Sequence, residues 1–355
     1  MATEEIILKV AEQAKVLASH SWEYGTLAEA LLELHGPEMS VFGRSPFSGT
    51  CCGDDIAALA YGRRYIRTAS DTLVDGEGSS GDPASLGVTA LLLGQQDKSY
   101  LDAADRQANV LLHQTPRFSN GAISHRETVA ELWSDSIYMV PPFLAYYGKV
   151  TNKPEIVKEA IHQCKLYHDI LADKTTGLWR HVVGPENEDH GFWSTGIGWA
   201  AAGMTRVLAT LAQDEQSSKE QQQELTRYIK ELIDGVIHAG RGEKHLIRNY
   251  VTEPSSFDEN AGTAALASAV FRLAVLCPDV FGADADVRYI QWALESREAV
   301  LRHVDPDTGI VFPVVNPMDS KDPRPARASA EAQCFVILMY AAHRGWEAHS
   351  RRGRV

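Results

Sequence analysis

Apolar residues recur at helical spacing through most of this chain, and that period limits the fold more than any other feature. In one stretch Ile156, Val157, Ala160, Ile161, Cys164 and Tyr167 form an apolar stripe, while Lys158, Glu159 and His162 lie between them on a polar face. Similar patterns predict about twelve helices, at 4–18, 24–35, 54–69, 84–94, 99–114, 133–148, 154–172, 193–212, 218–238, 260–276, 284–302 and 329–344. Short turn-rich pieces separate alternate helices: Asn120-Gly-Ala-Ile-Ser, Thr176-Gly-Leu-Trp-Arg-His, Lys244-His-Leu-Ile-Arg-Asn-Tyr and Thr308-Gly-Ile-Val-Phe-Pro. Two share the pattern Asp-x-x-Thr-Gly-apolar, at Asp173 to Leu178 and Asp305 to Ile310, where Asx and glycine chemistry makes a tight turn.

These pieces recur every ~55–70 residues, so the repeating unit is a helix pair plus a long loop, and six units fill the chain. An open solenoid could share that period. Solenoid repeats are shorter and more regular, and their loops seldom carry so much Trp, His and Gly, which favours a closed all-α ring, an (α/α)6 barrel. The expectation is one domain over residues 1–355.

The balance of 34 Lys and Arg against 47 Asp and Glu leaves a formal charge of −13, with the basic residues scattered except for Arg351, Arg352 and Arg354. Phosphate affinity needs clustered cations, so nucleic-acid binding is not expected. One local Arg or a set of backbone donors could still hold an anionic ligand. Five widely spaced cysteines, Cys51, Cys52, Cys164, Cys277 and Cys334, fit neither a disulfide framework nor a zinc site and read as free thiols. Met-Ala-Thr-Glu-Glu-Ile at the N-terminus is acidic where a secretory signal is basic, and the most apolar later stretch, 261–277, is broken by Arg272. A cytoplasmic protein without a membrane partner is expected.

Three segments could carry chemistry. In Trp133-Ser-Asp135-Ser-Ile-Tyr138-Met139 a carboxylate opens a helix among aromatic and apolar neighbours. The helix dipole favours its charge, and desolvation by Trp133, Tyr138 and Met139 opposes it, as suits a general acid. Capping of the helix by Asp135 is the alternative, and spacing leaves both open. Gly177-Leu-Trp179-Arg-His181, followed by Phe192-Trp193-Ser-Thr195-Gly196-Ile-Gly198-Trp199, reads as an aromatic-walled sugar pocket or as close helix packing. Asp82, before Pro83, has the position of a simple N-cap. Asp54-Asp55 lacks a third carboxylate for a diphosphate site and reads as a helix start. His125 and His181 sit on loops of the recurring type just before inward helices, and no His, Cys or carboxylate group has metal-site spacing.

Together, the Trp133 to Ala145 run, Gly177 to His181 and Phe192 to Trp199 resemble the unsaturated glucuronyl and rhamnogalacturonyl hydrolases, glycoside hydrolase families 88 and 105, closest to 105. Asn260-Ala-Gly-Thr-Ala264 and Ser329-Ala-Glu-Ala-Gln-Cys-Phe335 look like weaker late signatures of the same group. The resemblance implies an (α/α)6 barrel acting without metal or cofactor on small oligosaccharides that end in a 4,5-unsaturated uronic acid. It implies that Asp135 protonates C4, water adds at C5, and the resulting hemiketal opens and releases the next sugar, so that catalysis is hydration of an alkene. Asp82 would contact sugar hydroxyls and raise the pKa of Asp135. His181 would bind sugar or position water. Trp193 and Trp199 would wall the ring, with His125, Trp22 and Tyr24 at further binding positions. Thr195 falls at a substrate-binding position where relatives acting on unsaturated rhamnogalacturonan carry Arg, and Ile197 where they often carry Asn. Thr cannot pair bidentately with a carboxylate, so the uronate requires other donors here. An inverting glycosidase using Asp82 and Asp135, or a noncatalytic helical scaffold with an aromatic groove, would fit the same pattern of elements.

Overall fold

The computed structural model describes residues 2–44, 46–47 and 56–352. Cys51, Cys52 and the Asp54-Asp55 pair lie outside the described residues.

All twelve expected helical segments contain helix: α1 (Ala2–Leu17), α2 (Ser21–His35), α3 (Ala57–Arg63), α4 (Gly87–Gly94), α5 (Lys98–Asn109), α6 (Ser136–Val150), α7 (Pro154–Leu171), α8 (Ser194–Ala212), α9 (Lys219–Ala239), α10 (Asn260–Leu276), α12 (Val287–Arg302) and α13 (Ala330–Arg352), plus a short turn, α11 (Pro278–Phe281). A 3-10 turn, Asp82–Leu86, leads into α4, and a π turn, Val110–Gln114, ends the fifth segment. Helix α2 begins three residues earlier than its apolar stripe suggests. Its capping box explains this: the Glu23 carboxylate accepts from the backbone N–H groups of Ser19 and His20. Helix α6 begins later than expected because Leu132 and Trp133 instead form strand β1, paired antiparallel with β2 (Val182–Val183).

The helices form two concentric layers. In the inner layer α2, α4, α6, α8, α10 and α13 each pack against the next, and α13 packs back onto α2. That last contact closes the ring and excludes an open solenoid. The fold is the expected (α/α)6 toroid, with α1, α3, α5, α7, α9 and α12 outside. Inner and outer helices differ as their surroundings require. Helix α8 is buried at every position from Ser194 to Leu211, whereas α9 buries only one face, including Leu225, Ile229, Leu232 and Val236. The inner helices approach closely where they lack side chains. A Cβ on Gly203 would lie 2.1 Å from the Ile137 carbonyl oxygen of α6, and one on Gly262 of α10 2.5 Å from the Ser194 backbone. The glycines of the Gly196-x-Gly198 segment are likewise packing residues: a Cβ there would meet Ser134 and Ala265.

Each inner helix starts at the same end of the ring, and the loops entering them are stitched in series. The N–H of Ser80 donates to the His125 carbonyl (2.8 Å), Ser134 to His181 (2.9 Å), Ser194 to Asn249 (2.8 Å) and Asn260 to Pro313 (3.2 Å). A second short ribbon, β3 (Ile247–Arg248) with β4 (Asp258–Glu259), continues this rim. The two Asp-x-x-Thr-Gly turns form as expected. Asp173 Oδ1 accepts from the N–H groups of Thr175 and Thr176, Asp305 Oδ1 from those of Asp307 and Thr308, and Gly177 and Gly309 take φ of +75° and +80°. No helix among the described residues is long and apolar enough to cross a membrane.

Candidate active site

The stitched rim surrounds a cavity of about 460 Å³, in the range of small-ligand sites. Asp82, His125, Asp135, His181, Trp193, Trp199 and Trp22 all line it, so residues up to 177 positions apart, from Trp22 to Trp199, meet in one place.

Asp135 occupies the cap position of α6, but its backbone is already helical (φ −59°, ψ −37°) and its side chain caps nothing. The carboxylate accepts instead from the Ser134 hydroxyl (3.2 Å) and faces His181 Nε2 at 3.6 Å. Hydrogen-bonded capping of the helix by Asp135 is therefore absent. Burial pushes the Asp135 pKa upward, and His181 acts against that rise.

Asp82 is not an N-cap either, because Gly81 holds that place and Asp82 opens the 3-10 turn. Burial first, and the charge of Asp135 second, push its carboxyl up to about 7. The like-charge effect expected of Asp82 on Asp135 is seen in the reverse direction, on Asp82. The sign of the consequence for stability follows. A carboxyl raised to about 7 in the folded chain from its ordinary 3.8 binds a proton more tightly when folded, so its contribution to stability declines as pH rises between those values. Relative to the wild type, Asp82→Asn should therefore gain about 2 kcal/mol of unfolding free energy between about pH 5 and pH 8. Urea unfolding at the two pH values measures this, and an unchanged difference would show that Asp82 is not held protonated by the fold.

The two histidines are fixed differently. His125 stacks on Trp133 (centroids 4.8 Å apart), with Nε2 3.4 Å from the Ser79 hydroxyl and 3.9 Å from Asp82. Burial lowers its pKa to about 3, so it is a neutral imidazole. His181 Nδ1 lies 2.9 Å from Asp189 Oδ2, and that same oxygen accepts from the Tyr250 hydroxyl at 2.6 Å. Hydrogen bonds from His181, Tyr250 and the Gly191 N–H hold Asp189 well below the usual carboxylate range despite its burial. An ionised Asp189 fixes the His181 proton on Nδ1 and presents Nε2 to Asp135, giving a chain Asp135–His181–Asp189.

The tryptophans form the walls. Trp193 lies 4.4 Å from His181 between ring centroids and donates its indole N–H to Asn249 Oδ1 (2.9 Å). Trp199 is wedged between Tyr138 and Phe335, and Trp133 donates to Glu131, which also accepts from the backbone N–H groups of Glu186 and Asn187. Two expected contact residues are placed elsewhere. Thr195 is fully buried outside the lining and bonds Glu259 (3.4 Å), while Tyr24 stacks on Tyr65 (3.8 Å) away from the cavity. Sequence reasoning missed Asp189, Trp133 as a wall, Arg126, Lys321 and Glu331, all of which line the cavity.

A closed six-hairpin toroid whose rim holds carboxylates, imidazoles and tryptophan walls offers a cavity suited to a sugar ring. The model of Glycosyl Hydrolase Family 88 matches residues 59–321, and the chain belongs to that family. The unsaturated rhamnogalacturonyl hydrolase YesR of Bacillus subtilis (strain 168) is 25% identical over 241 residues, which cover 63% of this chain and 63% of that protein, so the match spans just under two thirds of the relative's length. Among solved structures, a possible member of the GH105 family from Salmonella enterica superposes with a TM-score of 0.74 at 18% identity, over 97% of this chain and 93% of the other. The unsaturated glucuronyl hydrolase of Bacillus sp. GL1 superposes with a TM-score of 0.66 at 15% identity, over 97% and 95%. These two likenesses are likenesses of fold.

Proposed function

We propose that this protein removes a terminal 4,5-unsaturated uronic acid from lyase-generated oligosaccharides by hydrating the C4=C5 double bond, with Asp135 as general acid and base. The observation that carries this reading is the setting of Asp135: half-buried, with its side chain 16% exposed to the cavity, pushed toward its protonated form, making no capping hydrogen bond, and facing His181 in a tryptophan-walled cavity. Protonation of C4 by Asp135 leaves positive charge at C5 and the ring oxygen. The carboxylate so formed, beside His181, then takes a proton from the water that adds at C5. The hemiketal opens, and collapse at C1 frees the next sugar. Asp82 and the neutral His125 face the ring hydroxyls, and Trp193 and Trp199 bound the ring.

The substrate carboxylate needs a partner other than Thr195. Arg126, beside the Trp133 face, and Lys321, 3.7 Å from Asp189, are the Arg and Lys side chains in the described lining and supply that charge. The names of the relatives, a rhamnogalacturonyl hydrolase and a 3S-rhamnoglycuronyl hydrolase of Formosa agariphila, support the unsaturated-uronyl class of substrate. The free thiols of Cys164, Cys277 and Cys334 suit a reducing, cytoplasmic setting.

The test follows the ultraviolet absorbance of the conjugated double bond on unsaturated disaccharides made by lyases from pectin, arabinogalactan and glycosaminoglycans. Loss of absorbance on at least one, with saturated glycosides left intact, is the expected result. Absorbance that persists on all of them would refute the hydration reading, and cleavage of saturated glycosides would replace it with ordinary inverting hydrolysis by Asp82 and Asp135.

A further inference from the structure

Release of a terminal ring places that ring at the floor of the cavity, against Asp135, and leaves the adjoining sugar at the mouth. Exposure marks the depth: the side chains of Asp82 and Asp135 are 9% and 16% exposed, whereas that of Glu77, which lines the same cavity, is 47% exposed. Glu77 belongs to none of the interactions described so far. Its backbone takes a φ of +51°, in the left-handed region that a residue with a Cβ seldom adopts, and its N–H is tied to Asp75 Oδ1 (3.1 Å). The side chain is held as well. Its Oε2 lies 2.9 Å from His20 Nδ1, which leaves Oε1 without a bond among the described residues. His20 is the N-cap of α2 and stacks on Trp22, with ring centroids 4.7 Å apart and planes 8° from parallel. One face of the indole is thereby covered, and Trp22, fixed in the first turn of α2, lines the cavity together with Glu77.

An accessible carboxylate fixed near a tryptophan suits a sugar, because the carboxylate accepts from hydroxyls and the indole packs against the apolar C–H edge of a ring. The charge at the mouth narrows the choice to a neutral sugar. Exposed carboxylates of Glu77, Glu186, Glu188 and Asp319 line the cavity against the cations of Arg126 and Lys321, and the uronate of the substrate itself takes up cationic charge. A sulfate or carboxylate on the adjoining sugar would then meet like charge. We propose that Glu77 is a specificity-determining residue, which accepts hydrogen bonds from the hydroxyls of a neutral adjoining sugar packed on Trp22 and repels an anionic one. This rests on the uronyl-hydrolase reading of the cavity.

Calorimetric titration of the Asp135→Asn protein, which binds without turnover, tests it with three ligands: an unsaturated uronyl disaccharide ending in N-acetylgalactosamine, its 6-sulfated counterpart, and the methyl glycoside of the same unsaturated uronic acid, which has no adjoining sugar. The unsulfated disaccharide should bind at least about 10-fold more tightly than the sulfated one. Adding Glu77→Ala should weaken the unsulfated disaccharide about 5–20-fold and leave the methyl glycoside within about twofold. Adding Glu77→Gln, which keeps an acceptor but not the charge, should bring the two disaccharides within about threefold of each other. An equal loss on disaccharide and methyl glycoside would show a role in the terminal ring's site or in the fold, an unchanged disaccharide would show no contact, and undiminished discrimination in the Gln variant would show that this charge is not the filter; each result overturns the proposal. Failure of all three ligands to bind would strike the uronyl reading of the cavity and this proposal with it. Failure of the wild-type protein to consume the ultraviolet absorbance would strike the hydration reading alone, since the affinity comparison does not depend on turnover.

Discussion

Asp135→Asn should lower turnover of unsaturated disaccharides by about 10²–10⁴-fold with the fold intact. The substitution keeps the shape of the side chain. Asn can still accept from the Ser134 hydroxyl and stay beside His181, but it cannot deliver a proton to carbon. A carboxyl whose pKa is raised by desolvation is a cost to the folded state at neutral pH, so its removal should leave the unfolding midpoint unchanged or slightly higher. The measurement is initial loss of ultraviolet absorbance together with thermal unfolding. Full activity in this variant would move the acid elsewhere, first to Asp82, whose carboxyl is pushed up to about 7. The wild-type profile offers a second check: the acid must carry its proton, so activity should fall as pH rises through the raised range in which Asp135 ionises.

How much of this was legible in the sequence varies with the physical range of each interaction. Helices and Asx turns depend on neighbours a few positions apart, so the 3.6-residue period and the Asp-x-x-Thr-Gly pattern disclose them. Closure of the ring rests on α13 meeting α2, and no local pattern encodes that. The same limit governs the site. Thr195 and Tyr24 were expected near their sequence neighbours in the pocket, but each residue of a helix turns about 100° from the last. Two positions beyond Trp22, Tyr24 faces Tyr65; two beyond Trp193, Thr195 faces Glu259. Asp189 and Glu331 were missed because their meaning lies in partners far along the chain. Asp189, which orients His181, is itself held by Tyr250, 61 positions further on, and Glu331 faces Trp22, more than three hundred positions away. Its segment, Ser329 to Phe335, was visible as a signature without a role.

Glu33→Ala should destabilise the protein by about 3–5 kcal/mol, because it leaves buried cations without their anion. Glu33, 1% exposed on α2, pairs with Arg206 of α8 and, at 2.7 Å, with Arg272 of α10. The backbone carbonyls of Glu33 and Leu34 accept from Arg344 of α13, and Arg206 also lies over the Tyr138 ring of α6 at 4.6 Å. One carboxylate thus joins three inner helices directly, and its backbone reaches a fourth. Arg206 and Arg272 are desolvated with Glu33 as their closest partner; burial raises the second candidate anion, Glu29, to about 7. Urea unfolding at neutral pH measures the loss. Replacing Glu33, Arg206 and Arg272 together with apolar residues of similar volume should restore much of it, since only Glu29, which burial already pushes toward its neutral form, is then left without a cation. An additive triple loss would instead mean that the side chains matter as packing volume. The cluster lies eleven residues along α2 from Trp22, roughly 16 Å at 1.5 Å per residue. At temperatures where Glu33→Ala stays folded, its turnover should therefore match the wild type, which separates the closure of the ring from the chemistry at its rim.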